Sequence, residues 1–362
     1  MITIFVTKPL SGNPADGIDN VNISIFKRID PGQLLFLVEA PSGFIEEGSI
    51  KKMQLKQKNV LARYIEKILL LRRIKPNYLF GIGAISEVPF ILFKPQKTKY
   101  VIDWHTMLIK GEGYWRVKTP WFVRWFIFNK ADLIIAVSEF AAASVRKYFP
   151  HKNIVAIING VDSGFFNPQK RNEKYLKEKY QIDFSRPLVV FIGALQPRKR
   201  PDLFIELAKN YPKANFVAVG RLISRHYKSL GLVMSQKLNN FQWIEKTSRE
   251  DIAILLASSK IFVFPSLNEA SAAVILEAMA SGCVPVVSKS GGNPEFLTDG
   301  KSGFLIEPNQ NEKEEFLRKI NLLIKDNNLY QKISQASRLE AEKHSWDKAA
   351  ELYKEVLLID LD

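Results

Sequence analysis

Two glutamates, Glu269 and Glu277, flank a run of small residues, Ala270, Ser271, Ala272 and Ala273. Small side chains let a ligand approach the backbone, and Ser271 stands where a helix N-cap would. The free N–H groups and the dipole of a helix start favour an anion, by about 0.3–1 kcal/mol near the surface and up to ~2 kcal/mol when partly buried. At 3.6 residues per turn the two carboxylates fall roughly 80° out of register. Glu269 therefore belongs to the loop at the mouth and Glu277 to the helix body, where a carboxylate can accept hydrogen bonds from a ribose diol. A second anion feature is GALQPRKRPDLF, in which Arg198, Lys199 and Arg200 follow a strand and glycine and precede a helix. Cations there add to the helix N-terminus and suit a pyrophosphate. His105, in DWHTML, follows a strand's carboxyl end, where open α/β sheets place ligands. Gly12 and Gly17 sit in a loop after the first strand that can bring amides near a phosphate, although GxGxxG spacing is missing.

The elements needed to hold these residues are legible as apolar runs. Ile2–Val6, Leu34–Val38, Leu79–Ile85, Tyr100–Asp103, Ala131–Ser138 and Ile154–Ile158 read as strands in the first half. Leu188–Ile192, Phe216–Gly220, Phe241–Ile244, Ile261–Phe264 and Val284–Val287 read as strands in the second. The helix after Ser271 ends at Gly282, and a glycine turn follows at Gly291 and Gly292. Lys51–Lys75 predicts one amphipathic helix with a very basic exposed face, carrying nine basic residues and one acid. Tyr114–Lys130 holds seven aromatics and four basic residues. With Pro120 in its first turn and Trp121, Trp125 and Phe128 on one face, it fits both a core helix and an interfacial one. Lys170–Lys179 reads as a charged linker, and SWDKAAELYKEVLLI as a closing helix.

At 362 residues the chain has room for two domains of ordinary composition. The single cysteine, Cys283, excludes an internal disulfide and fits a reducing compartment. Neither a secretory signal nor an apolar stretch long enough to span a bilayer is present, so the expected location is cytoplasmic, with a peripheral place on the inner membrane face as a refinement. The net charge of +15 is uneven: residues 1–170 carry 24 Lys+Arg against 13 Asp+Glu. A basic half suggests an anionic partner, nucleic acid or a membrane surface.

The run PSLNEA, LEAMASG, PVV, GGNPE and DGKSGFLIEP, in that order and spacing, resembles the signature of the retaining GT-B glycosyltransferases of group 1 (GT4). ADLIIAVS and NGVD are similar to the end of that family's first domain. The resemblance implies an α/β GT-B fold: two Rossmann-like domains, 1–165 for the acceptor and 166–345 for the nucleotide-sugar, facing across a cleft, with 346–362 returning to the first. It implies that Glu277 holds the ribose, that Glu269 and His105 face the donor sugar, and that amides around Ser271 to Ala273 hold sugar hydroxyls and a phosphate. Lys199 matches the family's phosphate lysine. The preceding family arginine is replaced by Ala194, leaving Arg198 or Arg200 to substitute. GIDNVN resembles a loose version of the family's glycine loop, and Glu245–Thr247 fall where members flank the base.

The expected function is sugar transfer from a nucleotide-diphosphate donor to a saccharide or lipid-linked acceptor, in cell-surface polysaccharide or glycolipid synthesis. No DxD-type aspartate pair accompanies the motifs, so neither a metal nor another cofactor is expected. A Rossmann oxidoreductase would need the missing GxGxxG. A sugar phosphorylase or synthase on the same scaffold is an alternative. A basic nucleic-acid-binding protein is another, but it would not need the Glu269–Glu295 arrangement, and nucleic acid is not the expected partner.

Overall fold

The computed structural model describes residues 2–10, 17–41, 44–57, 59–108, 120–221 and 233–359. Unbroken apolar runs such as LVVFI and IFVF form strands buried on both faces, as parallel sheets between helices require. The chain divides into two units, Met1–Asn159 with Trp346–Asp362, and Gly160–Ser345.

The first unit contains β1 (Ile2–Val6), β2 (Leu34–Val38), β3 (Ile50–Lys52), β4 (Tyr78–Gly81), β5 (Lys99–Trp104), β6 (Leu133–Ala136) and β7 (Ile154–Ala156). They lie parallel in the order β3-β2-β1-β4-β5-β6-β7. The chain runs outward from β1 to β3, then crosses to the other side of β1, so the winding reverses between β1 and β4. The second unit contains β8 (Leu188–Ile192), β9 (Asn215–Val219), β10 (Phe241–Ile244), β11 (Ile261–Phe264), β12 (Val284–Ser288) and β13 (Phe304–Ile306). Their order is β10-β9-β8-β11-β12-β13, with the reversal between β8 and β11. At such reversals the loops leaving neighbouring strands splay apart and open a crevice at the carboxyl edge.

The closing helix, Trp346–Ile359, is a structural part of the first unit. Its Trp346, Tyr353 and Leu357 are buried in one core with Ile4, Phe36 and Phe80. Burying each such side chain contributes about 1.5–3 kcal/mol. Tyr78 Oη donates to the Leu357 carbonyl (2.7 Å), so the helix is also fixed along its axis.

Several expectations need correction. Lys170–Lys179 is no linker: Glu173–Tyr180 is a helix, capped by Asn172 and seated by buried Leu176. Its Lys179 and Tyr180, with Tyr175, converge on Asp251 at 2.7–2.8 Å. Burial raises the Asp251 carboxyl, but Lys179 and the hydroxyl donors overcome that and hold it well below the usual carboxylate range. Two short strands, β3 and β13, carry too few residues to show an alternation and were not expected.

Lys51–Lys75 is not one helix but β3 followed by the helix Val60–Ile74. Its exposed face is also apolar rather than uniformly basic. Leu61, Ile65 and Leu69 are each more than half exposed, while Lys67 is buried. Lys67 turns inward because Glu39 Oε2 (3.0 Å) and the Thr7 carbonyl (2.9 Å) accept from its ammonium. That rotation carries the Leu61–Ile65–Leu69 stripe outward.

Tyr114–Thr119 lies outside the described residues, and Pro120 is the N-cap of the helix Trp121–Lys130 rather than part of its first turn. The three aromatics expected on one face are split. Phe128 is buried and Trp121 packs on Tyr148, whereas Trp125 and Phe122 are exposed.

Candidate functional site

In the second unit, the loops leaving β8 and β11 meet at the reversal. The Leu267 amide donates to the Arg198 carbonyl (2.9 Å), docking one loop on the other. Pro197 opens a single helical turn, Pro197–Lys199, which places Arg198 and Lys199 side by side. Both reach Glu269: Lys199 Nζ lies 2.7 Å from Oε1, and Arg198 Nη1 and the Ser266 hydroxyl contact the same oxygen. Glu269 is buried. Burial raises its carboxyl, yet Lys199 and Arg198 outweigh it and hold the group below its ordinary value. Burial lowers the Lys199 ammonium, and Glu269 opposes that shift. The cluster therefore has two cations against one carboxylate, a net positive charge beside the helix that follows.

Gly291 locks this loop. It has φ +64°, and a Cβ there would lie 2.2 Å from the Glu269 carbonyl oxygen. The Gly292 amide donates to that same carbonyl (2.7 Å). Thus GGNPE has a local reason: only glycine lets its turn approach the Glu269 backbone.

The helix is Ala273–Ala280. Ser271 is not its cap. Ala272 holds that position, and alanine has no side-chain acceptor to offer the first-turn amides. Gly282 closes the helix as expected, with φ +77°. Glu277 sits in the helix body, its side chain mostly buried, with Arg249 Nη2 3.6 Å from Oε1. Burial raises the Glu277 carboxyl, and Arg249 partly counters this. Arg249 opens the helix Arg249–Ser258, whose Ser248–Asp251 capping box also anchors Thr247, the last residue of the segment expected to flank a base.

Arg200 is directed elsewhere. With φ +52° it turns to Glu312, Nη1 donating to Oε2 at 2.7 Å. Of the two cations offered as substitutes at Ala194, only Arg198 joins the Glu269 cluster. Gly12 lies outside the described residues, and Gly17 opens the helix Gly17–Phe26.

His105 belongs to the first unit, just past β5. Its Nε2 donates to Asp103 Oδ2 (2.5 Å), and Tyr353 of the closing helix donates to Asp103 Oδ1 (2.7 Å). Burial, with Asp103, pushes the Tyr353 phenol well above its ordinary value, so it remains a donor. Asp103 thereby fixes a proton on Nε2, and Nδ1 is the ring nitrogen left for another partner. The spacing in DWH made Asp103 findable; Tyr353, 250 residues away, carried no signal.

A prediction follows for Glu277. The ribose role that the resemblance implies for Glu277 predicts that Glu277→Gln weakens nucleotide binding about 10–100-fold, through loss of charge-assisted bonds to a diol. Because burial raises this carboxyl, wild-type affinity falls with decreasing pH while still above the ordinary Glu range, and the variant's does not. Titration calorimetry with UDP, GDP and ADP across pH checks both.

Residues 172–340 match the family described as Glycosyl transferases group 1, and residues 53–165 match Glycosyltransferase Family 4; together these cover well over half the chain. Among curated relatives, the sulfoquinovosyl transferase SQD2 of Arabidopsis thaliana is 27% identical over 297 residues, 76% of this chain and 55% of the relative. Spore coat protein SA of Bacillus subtilis is 26% identical over 236 residues, 60% of this chain and 62% of the relative. The match thus spans less than two thirds of either relative's length. Among solved structures, a glycosyltransferase from Rickettsia africae superimposes with a TM-score of 0.76 at 19% identity, covering 100% of this chain and 99% of that one. Anabaena HepE in complex with UDP and glucose gives 0.76 at 18% identity, covering 99% of both chains. The fold is that of the GT-B glycosyltransferases, and the chain belongs to the group 1 (family 4) glycosyltransferases.

Proposed function

We propose that the protein is a retaining glycosyltransferase that moves a sugar from a nucleotide diphosphate to a saccharide or lipid-linked acceptor, in cell-surface polysaccharide or glycolipid synthesis. The observation that carries this reading is the Arg198–Lys199–Glu269 cluster at the β8/β11 reversal, beside a helix start with no side-chain cap. As the sugar–phosphate bond breaks, negative charge grows on the departing diphosphate. Lys199, Arg198 and the first-turn amides of Ala273–Ala280 stabilise it where water is largely excluded. These cations supply the countercharge, so the proposal includes no metal or cofactor. Glu277 holds the ribose, while Glu269, already fixed by its cations, and His105 orient the sugar. We assign neither a covalent nucleophile nor a base; retention is read as departure and attack on one face of the sugar.

UDP is the first nucleotide to test because the similar HepE structure holds it. A panel of UDP, GDP and ADP raises the melting temperature with the logarithm of concentration for at least one member. No shift with any of them contradicts the reading. Asp103→Asn, which loosens the His105 tautomer, lowers turnover at least about tenfold, the worth of ~1.4 kcal/mol, and alters the pH–rate profile without changing nucleotide affinity.

The lipid-linked form of the acceptor draws support from the first unit's surface. Leu61, Ile65 and Leu69, then Leu92 and Phe93, then Phe122 and Trp125 are exposed on three helices that pack in sequence. Arg72, Arg73 and Lys130 are exposed on the same helices. Apolar side chains with basic neighbours suit the surface of an anionic bilayer. Among the described residues no helix is long and apolar enough to cross one. Sedimentation with anionic vesicles is expected to be salt-sensitive and to weaken when Leu61, Ile65 and Leu69 are changed to serine; no binding at low salt removes the membrane from the proposal.

A further inference from the structure

The stretch NGVDSGFF ends in two aromatics, Phe165 and Phe166, whose rings meet edge to face with centroids 5.0 Å apart. Phe166 is buried and Phe165 half-buried. The Arg249 guanidinium lies over both rings, 5.5 Å from the centroid of Phe165 and 5.3 Å from that of Phe166. Aromatic faces attract a cation through their quadrupoles, so this shelf restrains a side chain that is otherwise nearly half exposed. From the shelf, Nη2 faces Glu277 Oε1 at 3.6 Å.

We propose that Arg249 is the positioning residue of Glu277: held on the Phe165–Phe166 shelf, it keeps the carboxylate ionised while leaving its acceptor sites open to the two hydroxyls of a ribose. The inference rests on the donor reading above and deepens its ribose contact. The distance carries it. At 3.6 Å the guanidinium is beyond hydrogen-bond reach, so it attracts the carboxylate without occupying a lone pair. Glu269 has the opposite arrangement, its Oε1 taken by Lys199, Arg198 and the Ser266 hydroxyl. Glu277 needs the nearby charge because burial in the helix body pushes its carboxyl up, and an opposite charge within about 4–6 Å favours the ionised form.

The charges on the elements around this helix are committed elsewhere. β11 and β12 contribute only uncharged residues. On the helix of Arg249, Glu250 pairs with Lys170 and Asp251 with Lys179. On the helix Asn327–Glu342, Arg338 donates to the Ala280 carbonyl and pairs with Glu342 (3.0 Å). Tyr330 of that helix sits past the end of Ala273–Ala280, its hydroxyl 3.5 Å from the Gly282 carbonyl.

Calorimetry with UDP on the full chain, across pH, tests the inference. In Arg249→Met the loss of affinity on acidification sets in about one pH unit higher than in wild type, because burial is then unopposed. On the acid side of that point the variant binds about three- to tenfold more weakly, and towards alkaline pH the two converge. Taking the ratio at each pH cancels the titration of the nucleotide's own phosphate. Arg249→Lys keeps a charge but not the stacked plane, and recovers part of the shift. In a Glu277→Gln background, or with a UDP lacking both ribose hydroxyls, Arg249→Met changes nothing. The inference is overturned if Arg249→Met binds UDP as wild type does at every pH. It is overturned equally if the loss persists in the Glu277→Gln background or with the nucleotide lacking both hydroxyls, which would put Arg249 on the diphosphate or the base directly. Failure of the donor reading is separable, because wild-type protein would then not bind UDP at all.

Discussion

Lys199→Met lowers turnover by about 10²–10³-fold, the usual loss when one preorganised charge-stabilising donor is removed from a reacting centre. The methionine keeps most of the stem that packs over Phe264, where Nζ lies 4.6 Å from the ring centroid, so the fold is retained. The missing charge is felt most where the diphosphate departs, so turnover falls more than ground-state nucleotide affinity. Initial rates and calorimetry on the same preparation separate the two. Lys199→Arg restores the charge but not the compact point of contact, and recovers only part of the loss. Equal losses in affinity and turnover would place Lys199 in uniform binding rather than in stabilising the leaving group.

Glu269→Gln is expected to cost roughly 3–5 kcal/mol of stability, because it strands Arg198 and Lys199 beside a neutral amide in a buried cluster. Turnover falls with it, as the two cations separate. The pH dependence has a definite sign. Glu269 is held below its ordinary value in the folded chain, so its contribution is present above the unfolded Glu range and is lost as pH falls towards the folded value. The difference between wild type and variant in thermal unfolding therefore narrows on acidification. A variant as stable as wild type at neutral pH would mean that the pairs contribute no more than exposed ones do.

Much of the fold could be read from local pattern, and the reasons are specific. LVVFI and IFVF are apolar throughout because their strands are covered on both sides. The parts of the Arg198–Lys199–Glu269 cluster were legible because they lie in two short motifs at strand ends. What could not be read was pairing. Arg198 and Arg200 are neighbours of equal chemistry, and only the left-handed backbone at Arg200 sends it to Glu312. Ser271 has the right residue type for a cap, but the helix begins one residue later than that role requires. Lys67 looked like solvated charge because Glu39 and Thr7, its partners, are distant in sequence. The crevices at the two winding reversals depend on strand order, which no single segment encodes.

The most direct measurement of the central claim is a crystal structure with UDP, at a concentration that saturates calorimetric binding. The account predicts the diphosphate against Lys199 and Arg198, with its oxygens on amides at the start of Ala273–Ala280. A diphosphate bound elsewhere, or that crevice closed by the protein's own side chains while UDP is bound, would contradict it.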